Sequence, residues 1–515
     1  MTAALSLGSL AGCSTKNPAP SDGETVGAQN EESGGEKKDT LTVALTSEPP
    51  SLTTCDHDSI VGVYMNLLTY NGLMRVDHET LEVVPDLAES YEMKSDTEYV
   101  FKLREDACFW DGTPVTAQDV KFSLDRAKGM PKTKSNTSKI EEVTVNGDHE
   151  VTIKLTEPYA AFKTIVTQHN LSILSEKAVT EAGDSYGDVD NLLGSGPFKV
   201  TEWVPNDHYT LVRNDNYWGE MPIATSITCR VIPEGSARTI ALEAGEIDVV
   251  WSVDPTDCAN VESNPDVKLL SQPSTGIDYV GMNTQKEKFS DKRVRQAINY
   301  ALDKQTFVDT IIEGRGLVAN SYINAAIPGW TDEVEAYPYD PEKAKELLAE
   351  AGYPDGFECS IFVNGDLRTR SAQILQAQLA DVGIKVDIST YEWGALLDTL
   401  NAGEHEMFLL GWSNTSFDPD GSTYQLFYSG NHGATGNRAF FSNDKVDELI
   451  LSAQRESEES KRMELYKELQ FVLHEESPWC PLYYKENNVG VRADLKGFTL
   501  HAGAQHYLGN CHYEE

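Results

Sequence analysis

The sequence predicts an α/β protein of several domains, and three observations carry that reading. At 515 residues the chain exceeds what one hydrophobic core organises. Its residues are 40% hydrophobic and 9% aromatic, enough material for more than one core. The third observation is a recurring unit of helix, glycine and strand. A helical face of Ala344, Leu347, Leu348 and Ala351 ends at Gly352; a helix over Ser371 to Val382 stops at Gly383, after which Ile384, Val386 and Ile388 alternate as a strand.

Charge and cysteine usage narrow the class. Lys and Arg total 42 against 82 Asp and Glu, a formal charge of -40. Such a surface repels nucleic acid and anionic membranes and keeps an exported protein soluble. The apolar run Thr2 to Leu10 leads into Leu10-Ala11-Gly12-Cys13, which resembles a bacterial lipobox, with Cys13 as the lipidated residue. Residues 1–13 are therefore expected to be a lipoprotein signal segment; the missing basic start implies truncation upstream. Residues 14–39, rich in Gly, Ser, Asn, Glu and Lys, form a flexible tether spanning roughly 25–30 Å. The other cysteines, Cys55, Cys108, Cys229, Cys258, Cys359, Cys480 and Cys511, show no CxxC spacing, which argues against a metal cluster and leaves one or two disulfides open. No stretch reaches transmembrane length.

From Thr40 the ordered chain begins. Leu41 to Leu45 suits a buried parallel strand, and Tyr64 to Met74 a helix closing at Gly72-Leu73. Asp111-Gly112 is a turn pair, and Thr116 with Asp119 caps a helix whose Val120, Leu124 and Ala127 share a face. These residues read as scaffold, not as ligand contacts. Glu150 to Leu155 alternates as a strand. Gly194-Ser195-Gly196 lacks the spacing of a nucleophile elbow and reads as a turn. Ala241 to Val250 is a helix end at Gly245 followed by a strand. Ser290 caps a helix running to Lys304, and Asp340-Pro341 starts another. Phe441 to Ile450 and Arg462 to His474 read as packing helices. His405, His432, His501, His506 and His512 are dispersed, and a surface position is the default for each.

Several of these stretches together resemble one family. Pro85 to Ser90 (PDLAES), Asp111 to Val120 (DGTPVTAQDV), Gly194 to Phe198 (GSGPF), Arg213 to Trp218 (RNDNYW), Ser290 to Lys304 (SDKRVRQAINYALDK) and Glu476 to Leu482 (ESPWCPL) occur in the order found in the peptide/nickel-type solute-binding proteins of ABC importers, family 5. Ser195 and Lys288 stand where that pattern has Thr and Pro. The resemblance implies a periplasmic-binding-protein-like fold of type II, with two main lobes around an interlobe cleft plus an accessory domain. Main lobe I would comprise residues 40–74, 191–282 and 487–515, the accessory domain 75–190, and main lobe II 283–486. It also implies a lipid-anchored monomer on the outer face of the cell membrane, without cofactor or metal, that delivers cargo to a permease and its ATPase subunits; no Walker P-loop occurs here.

The same resemblance locates the ligand. Glu48 lies in a stretch similar to the family's first ligand-side loop, and Asn283 marks the crossing between lobes. Tyr391, Trp393, Gly411, Trp412 and Ser413 resemble the cleft-lining segment of the dipeptide- and oligopeptide-binding branch. Gly411 would let a peptide backbone approach as one more strand, with Trp393 and Trp412 as flat walls. Thr415 stands where peptide binders commonly place an Asp for the ligand's ammonium, so either Asp418 or Asp420 substitutes or the ligand presents no amino terminus there. A short peptide is the expected cargo. Nickel chelate, glutathione, opine and oligosaccharide are the alternatives in the same class, and an extracellular hydrolase or a peptide-signal receptor the alternatives outside it.

Overall fold

The computed structural model describes residues 39–57 and 59–513. Cys13 and most of the tether lie outside the described residues. An 11-stranded mixed sheet runs through the molecule. In chain order its main strands are β1 (Thr40–Leu45), β6 (Phe198–Val204), β7 (His208–Arg213), β8 (Ser226–Val231), β9 (Val249–Val250), β10 (Val267–Met282), β11 (Gly316–Val318), β12 (Phe357–Val363), β13 (Ile384–Thr390), β14 (Met407–Ser413) and β15 (Trp479–Arg492). A separate four-stranded antiparallel sheet holds β2 (Ala88–Ser95), β3 (Glu98–Leu103), β4 (Ile140–Gly147) and β5 (Glu150–Leu155) in the order β2-β3-β5-β4.

The order of the large sheet is β13-β12-β14-β10-β15-β9-β1-β8-β7-β6, with β11 paired to β15. Its organising pair is β10 and β15, 16 and 14 residues long, which are antiparallel and belong to both ends of the sheet. Their register runs from Val267↔Arg492 to Pro273↔Glu486, slips, and resumes at Ile277↔Tyr484. Ser274, Thr275 and Gly276 form the bulge at that slip, where the two ends of the sheet part company. On one side β12 and β13 are parallel and joined by helix α5 (Gly365–Ala380); on the other β1 lies parallel to β8 and β9. Separate apolar clusters form under these sheets: one around Val43, Phe198 and Val249, one around Phe101, Val151 and Leu124, and two around Ile361 with Leu375 and Phe408 with Leu473.

Local sequence explains the elements. Helix α2 (Ala117–Lys128) begins with the expected capping box: the Thr116 hydroxyl accepts from the Asp119 amide at 3.4 Å while Asp119 accepts from the Thr116 amide at 2.9 Å. Val120, Leu124 and Ala127 are all buried on its inner face. Helix α1 (Ile60–Thr69) ends earlier than its apolar run, because Tyr70 turns extended to donate its hydroxyl to the Leu52 carbonyl at 3.0 Å. Helix α3 (Lys292–Ala301) is capped by Asp291, not Ser290: the Asp291 carboxylate accepts from the Arg293 amide at 2.8 Å, while the Ser290 hydroxyl donates back to Glu287. Helix α4 (Pro341–Glu350) starts at Asp340-Pro341 as the sequence predicts, with the Asp340 carboxylate accepting from Lys343 N. The described cysteines are all free, so no disulfide joins them. None of the described helices is long and apolar enough to cross a membrane.

Candidate ligand-binding site

Parallel strands deliver the chain to one edge of a sheet, and ligands of α/β proteins gather at the strands' carboxyl ends. Here β12, β13 and β14 end at Val363, Thr390 and Ser413. These ends lead into the start of α5, the start of helix α6 (Trp393–Asn401), and the loop 414–419 before helix α7 (Asp420–Phe427). The antiparallel partner β10 brings Gly276 to Asp278 to the same edge, opposite Ser413 to Gly411.

Gly411 is required, but by a neighbouring side chain. A Cβ there would lie 2.1 Å from Asp278 Oδ1, so only glycine leaves space for that carboxylate and its ion pair with Lys485 at 3.2 Å. The edge of β14 away from β10 is paired with β12 only at Met407 and Phe408, which leaves Leu409 to Ser413 without a strand partner on that side among the described residues. Trp412 donates its indole N–H to the Gly421 carbonyl at 3.0 Å and packs against Ile277 and Tyr484. Ser413 is exposed. The Tyr391 ring packs on Phe362 at 4.9 Å, and Trp393 stays 49% exposed beneath the Arg368 guanidinium, 5.9 Å from its ring centre. Arg368 donates to Asn364 Oδ1 at 2.6 Å and has no carboxylate partner among the described residues.

The two carboxylates that were candidates to replace the missing Asp are both engaged elsewhere. Asp418 is buried and accepts from both terminal nitrogens of the Arg462 guanidinium, one of them at 2.8 Å. Asp420 accepts from the Tyr159 hydroxyl at 2.7 Å and from Gln454 Nε2 at 2.9 Å, and burial, with Asp418 beside it, pushes its carboxyl up to about 6. Neither offers a free negative charge to an ammonium group. The Thr415 hydroxyl donates to the Gln168 side-chain carbonyl at 3.3 Å. Glu48 accepts from Trp203 Nε1 and the Asn206 amide at 3.1 and 2.9 Å, bracing the turn between β6 and β7. Asn283 is buried and donates to the Gly403 and His405 carbonyls at 3.1 and 3.2 Å. Of the ten expected ligand contacts, then, Tyr391, Trp393, Gly411, Trp412, Ser413 and Thr415 gather at one edge, while Glu48, Asn283, Asp418 and Asp420 have structural partners.

The loop after β14 meets residues from far away in the chain. Tyr159 reaches Asp420, the Ala160 amide donates to the Gln454 carbonyl at 2.7 Å, and Arg455 pairs with Glu157 at 2.8 Å. From the C-terminal segment His501 meets the Phe417 ring edge-on at 5.2 Å, with Phe417 itself held at φ 56°. The expectation of surface histidines fails for His405, His501 and His506, which are buried; aromatic neighbours such as Phe417, Phe498 and Trp251 cover the last two. Burial holds His405 down to about 4, with its Nε2 against the Arg438 carbonyl at 2.8 Å. His432 and His512 are half-buried.

The family model described as bacterial extracellular solute-binding proteins, family 5, matches residues 82–434. The chain belongs to this family. As a family 5 solute-binding protein it is 29% identical to the dipeptide-binding protein of Escherichia coli (strain K12) over 523 residues, covering 92% of this chain and 96% of that one. It is 31% identical to the heme-binding protein A of Haemophilus influenzae over 461 residues, covering 84% of each. Among solved structures it is similar to the ABC transporter-associated periplasmic binding protein DppA from Helicobacter pylori in complex with peptide STSA, with a TM-score of 0.84, 28% identity and coverage of 92% of this chain and 98% of that chain. The fold of this family 5 protein is thus of the periplasmic-binding type II, mixed α/β with a large sheet. The family is one of extracellular substrate-binding proteins.

Sequence reasoning missed Arg368, Asp278 and Lys485. Asp278 had a visible signal, a lone carboxylate inside the apolar run Gly276 to Met282. Arg368 had none, because nothing local marks an arginine as lacking a carboxylate.

Proposed function

We propose that this chain captures short peptides between its two main lobes and delivers them to a membrane permease whose ATPase subunits drive import. The observation that carries the reading is the unpaired edge of β14 from Leu409 to Ser413, with Arg368 and the half-exposed Trp393 on the helices that follow the ends of β12 and β13. An extended peptide satisfies such an edge with its own amides and carbonyls, and a guanidinium without a carboxylate partner suits the peptide's terminal carboxylate. A division into lobes at residues 40–74, 191–282 and 487–515 against 283–486, with 75–190 as accessory domain, is supported by the separate apolar clusters, although Val280 and Met282 pack with the second lobe and Leu174 and Val179 with the first. Ligand closure would be a hinge motion about β10 and β15. Cys13 would carry the lipid anchor.

The role is binding, without turnover. Ser195 is buried and donates to Asn71 at 3.1 Å, and burial pushes the Cys229, Cys359 and Cys511 thiols up to about 12, so none is a prepared nucleophile. A second reading, cargo without an ammonium group at the Thr415 position, is favoured by the engagement of Asp418 and Asp420; a relative named for heme fits that breadth. A thermal-shift panel tests both, since a ligand that binds the native state raises its melting temperature. Short peptides are expected to raise it; a rise with heme, glutathione, a nickel–histidine chelate or an opine and with no peptide overturns the peptide reading.

A further inference from the structure

Five buried side-chain atoms on residues tied to the segment after β14 or to its contacts have no hydrogen-bond partner among the described residues: both ring nitrogens of His169, both of His501, and the Thr275 hydroxyl. These residues are 8%, 1% and 2% exposed. They come from three separated parts of the chain, and each is tied to the segment after β14 directly or through a chain neighbour: His501 by Phe417, His169 through Gln168, and Thr275 through Gly276, which lies opposite Ser413. His169 directly follows Gln168, which accepts the Thr415 hydroxyl. His501 lies edge-on to Phe417. Thr275 sits in the β10 bulge, and its amide donates to the Ala502 carbonyl at 3.2 Å.

A buried polar atom left unpaired is a standing cost to the folded chain, and structures retain such atoms where something else supplies the partner. The groups around them narrow what that is. His169 stacks on His57, and burial, with His57 second, holds it down to about 3. His501 faces His78, with Asp77 beyond it, and burial holds it down to about 4. The loop contributes Asp418 and Asp420, already bonded to Arg462 and to Tyr159 and Gln454. At neutral pH the three side chains are therefore uncharged, each imidazole presenting one N–H donor and one nitrogen acceptor and the hydroxyl both. That is the complement of an amide, which offers one N–H and one carbonyl.

We propose that His169, His501 and Thr275 are ligand-contacting residues, recognising uncharged amide groups of the bound peptide while the β14 edge and Arg368 take its extended backbone and carboxylate. The proposal rests on the peptide reading above. The ligand gains access when the contacts of Thr415 with Gln168 and of Phe417 with His501 separate.

The test uses the full chain and tetra-alanine, whose only uncharged polar groups are its amides. Affinity by titration calorimetry is expected to fall about tenfold in each of His169→Phe, His501→Phe and Thr275→Val. Melting temperature without ligand should hold or rise, because an unpaired polar atom has been replaced by carbon. His169→Gln, which keeps a donor and an acceptor, should retain most of the affinity and covers the case in which a Phe variant fails to fold. Wild-type affinity is expected to stay level from pH 8 to pH 6 and to weaken as pH approaches 4. Unchanged affinity in the Phe and Val variants, or an equal loss in His169→Gln and His169→Phe, overturns the contact role while the peptide reading stands. If wild type binds neither tetra-alanine nor any other short peptide, both fall together.

Discussion

Asp418 holds the loop after β14 through Arg462, and that pair is nearly closed to water. Replacing it by Asn leaves a buried guanidinium without its counter-charge, so Asp418→Asn is expected to lose about 3 kcal/mol of stability in urea unfolding. Peptide affinity of the folded fraction should be unchanged; a large affinity loss at unchanged stability would restore Asp418 to the ligand. Asp420 makes a pH prediction. Its folded pKa, raised to about 6, lies above the unfolded carboxyl value, so its contribution favours the folded state at low pH and is lost as pH rises through 6. Wild-type stability relative to Asp420→Asn should therefore drop by on the order of 2–3 kcal/mol between pH 4 and pH 7. A flat difference across that window contradicts the assignment. Sequence could place both aspartates next to the site and could not tell that they were spoken for, because their partners Arg462, Tyr159 and Gln454 lie far off in the chain. Gly411 was legible as a close approach, while the group approaching it, Asp278, was not.

At the level of elements, periodicity and caps were the readable part. The Thr116 capping box, the Asp340-Pro341 start and the strand Met407 to Trp412 appear in the structure within a residue of their sequence positions. Where element ends shifted, as at Thr69 or Gly365, a distant hydrogen bond or a positive-φ glycine set the boundary instead of the apolar pattern. Because the α2 cap is scaffold, Thr116→Ala should cost about 1 kcal/mol of stability and leave affinity untouched. The β14 edge makes the complementary prediction. Amide hydrogen exchange in Leu409 to Ser413 should slow on adding peptide, and exchange in β4 and β5 should not; no protection in 409–413 at saturating ligand would mean that the peptide lies elsewhere.

On the scale of the whole molecule, separated stretches meet at one loop: Glu157 to Gln168 from beside the small sheet, the C-terminal segment around His501, and the loop after β14. No single stretch of sequence encodes that meeting, which is why the family pattern was legible while His501, buried against Phe417, was read as surface. Tyr159→Phe removes one of these links and should weaken peptide binding about fivefold by loosening the closed form, with X-ray scattering of the peptide-saturated protein showing a larger radius than wild type. The central claim is peptide capture without turnover. Its most direct measurement is calorimetric titration of the full chain with Ser-Thr-Ser-Ala, followed by recovery of the ligand. Saturable one-to-one binding is predicted, with the peptide recovered intact, affinity reduced by amidation of its carboxyl terminus and little changed by acetylation of its amino terminus. Absence of binding by this and other short peptides, or their recovery as fragments, would contradict it.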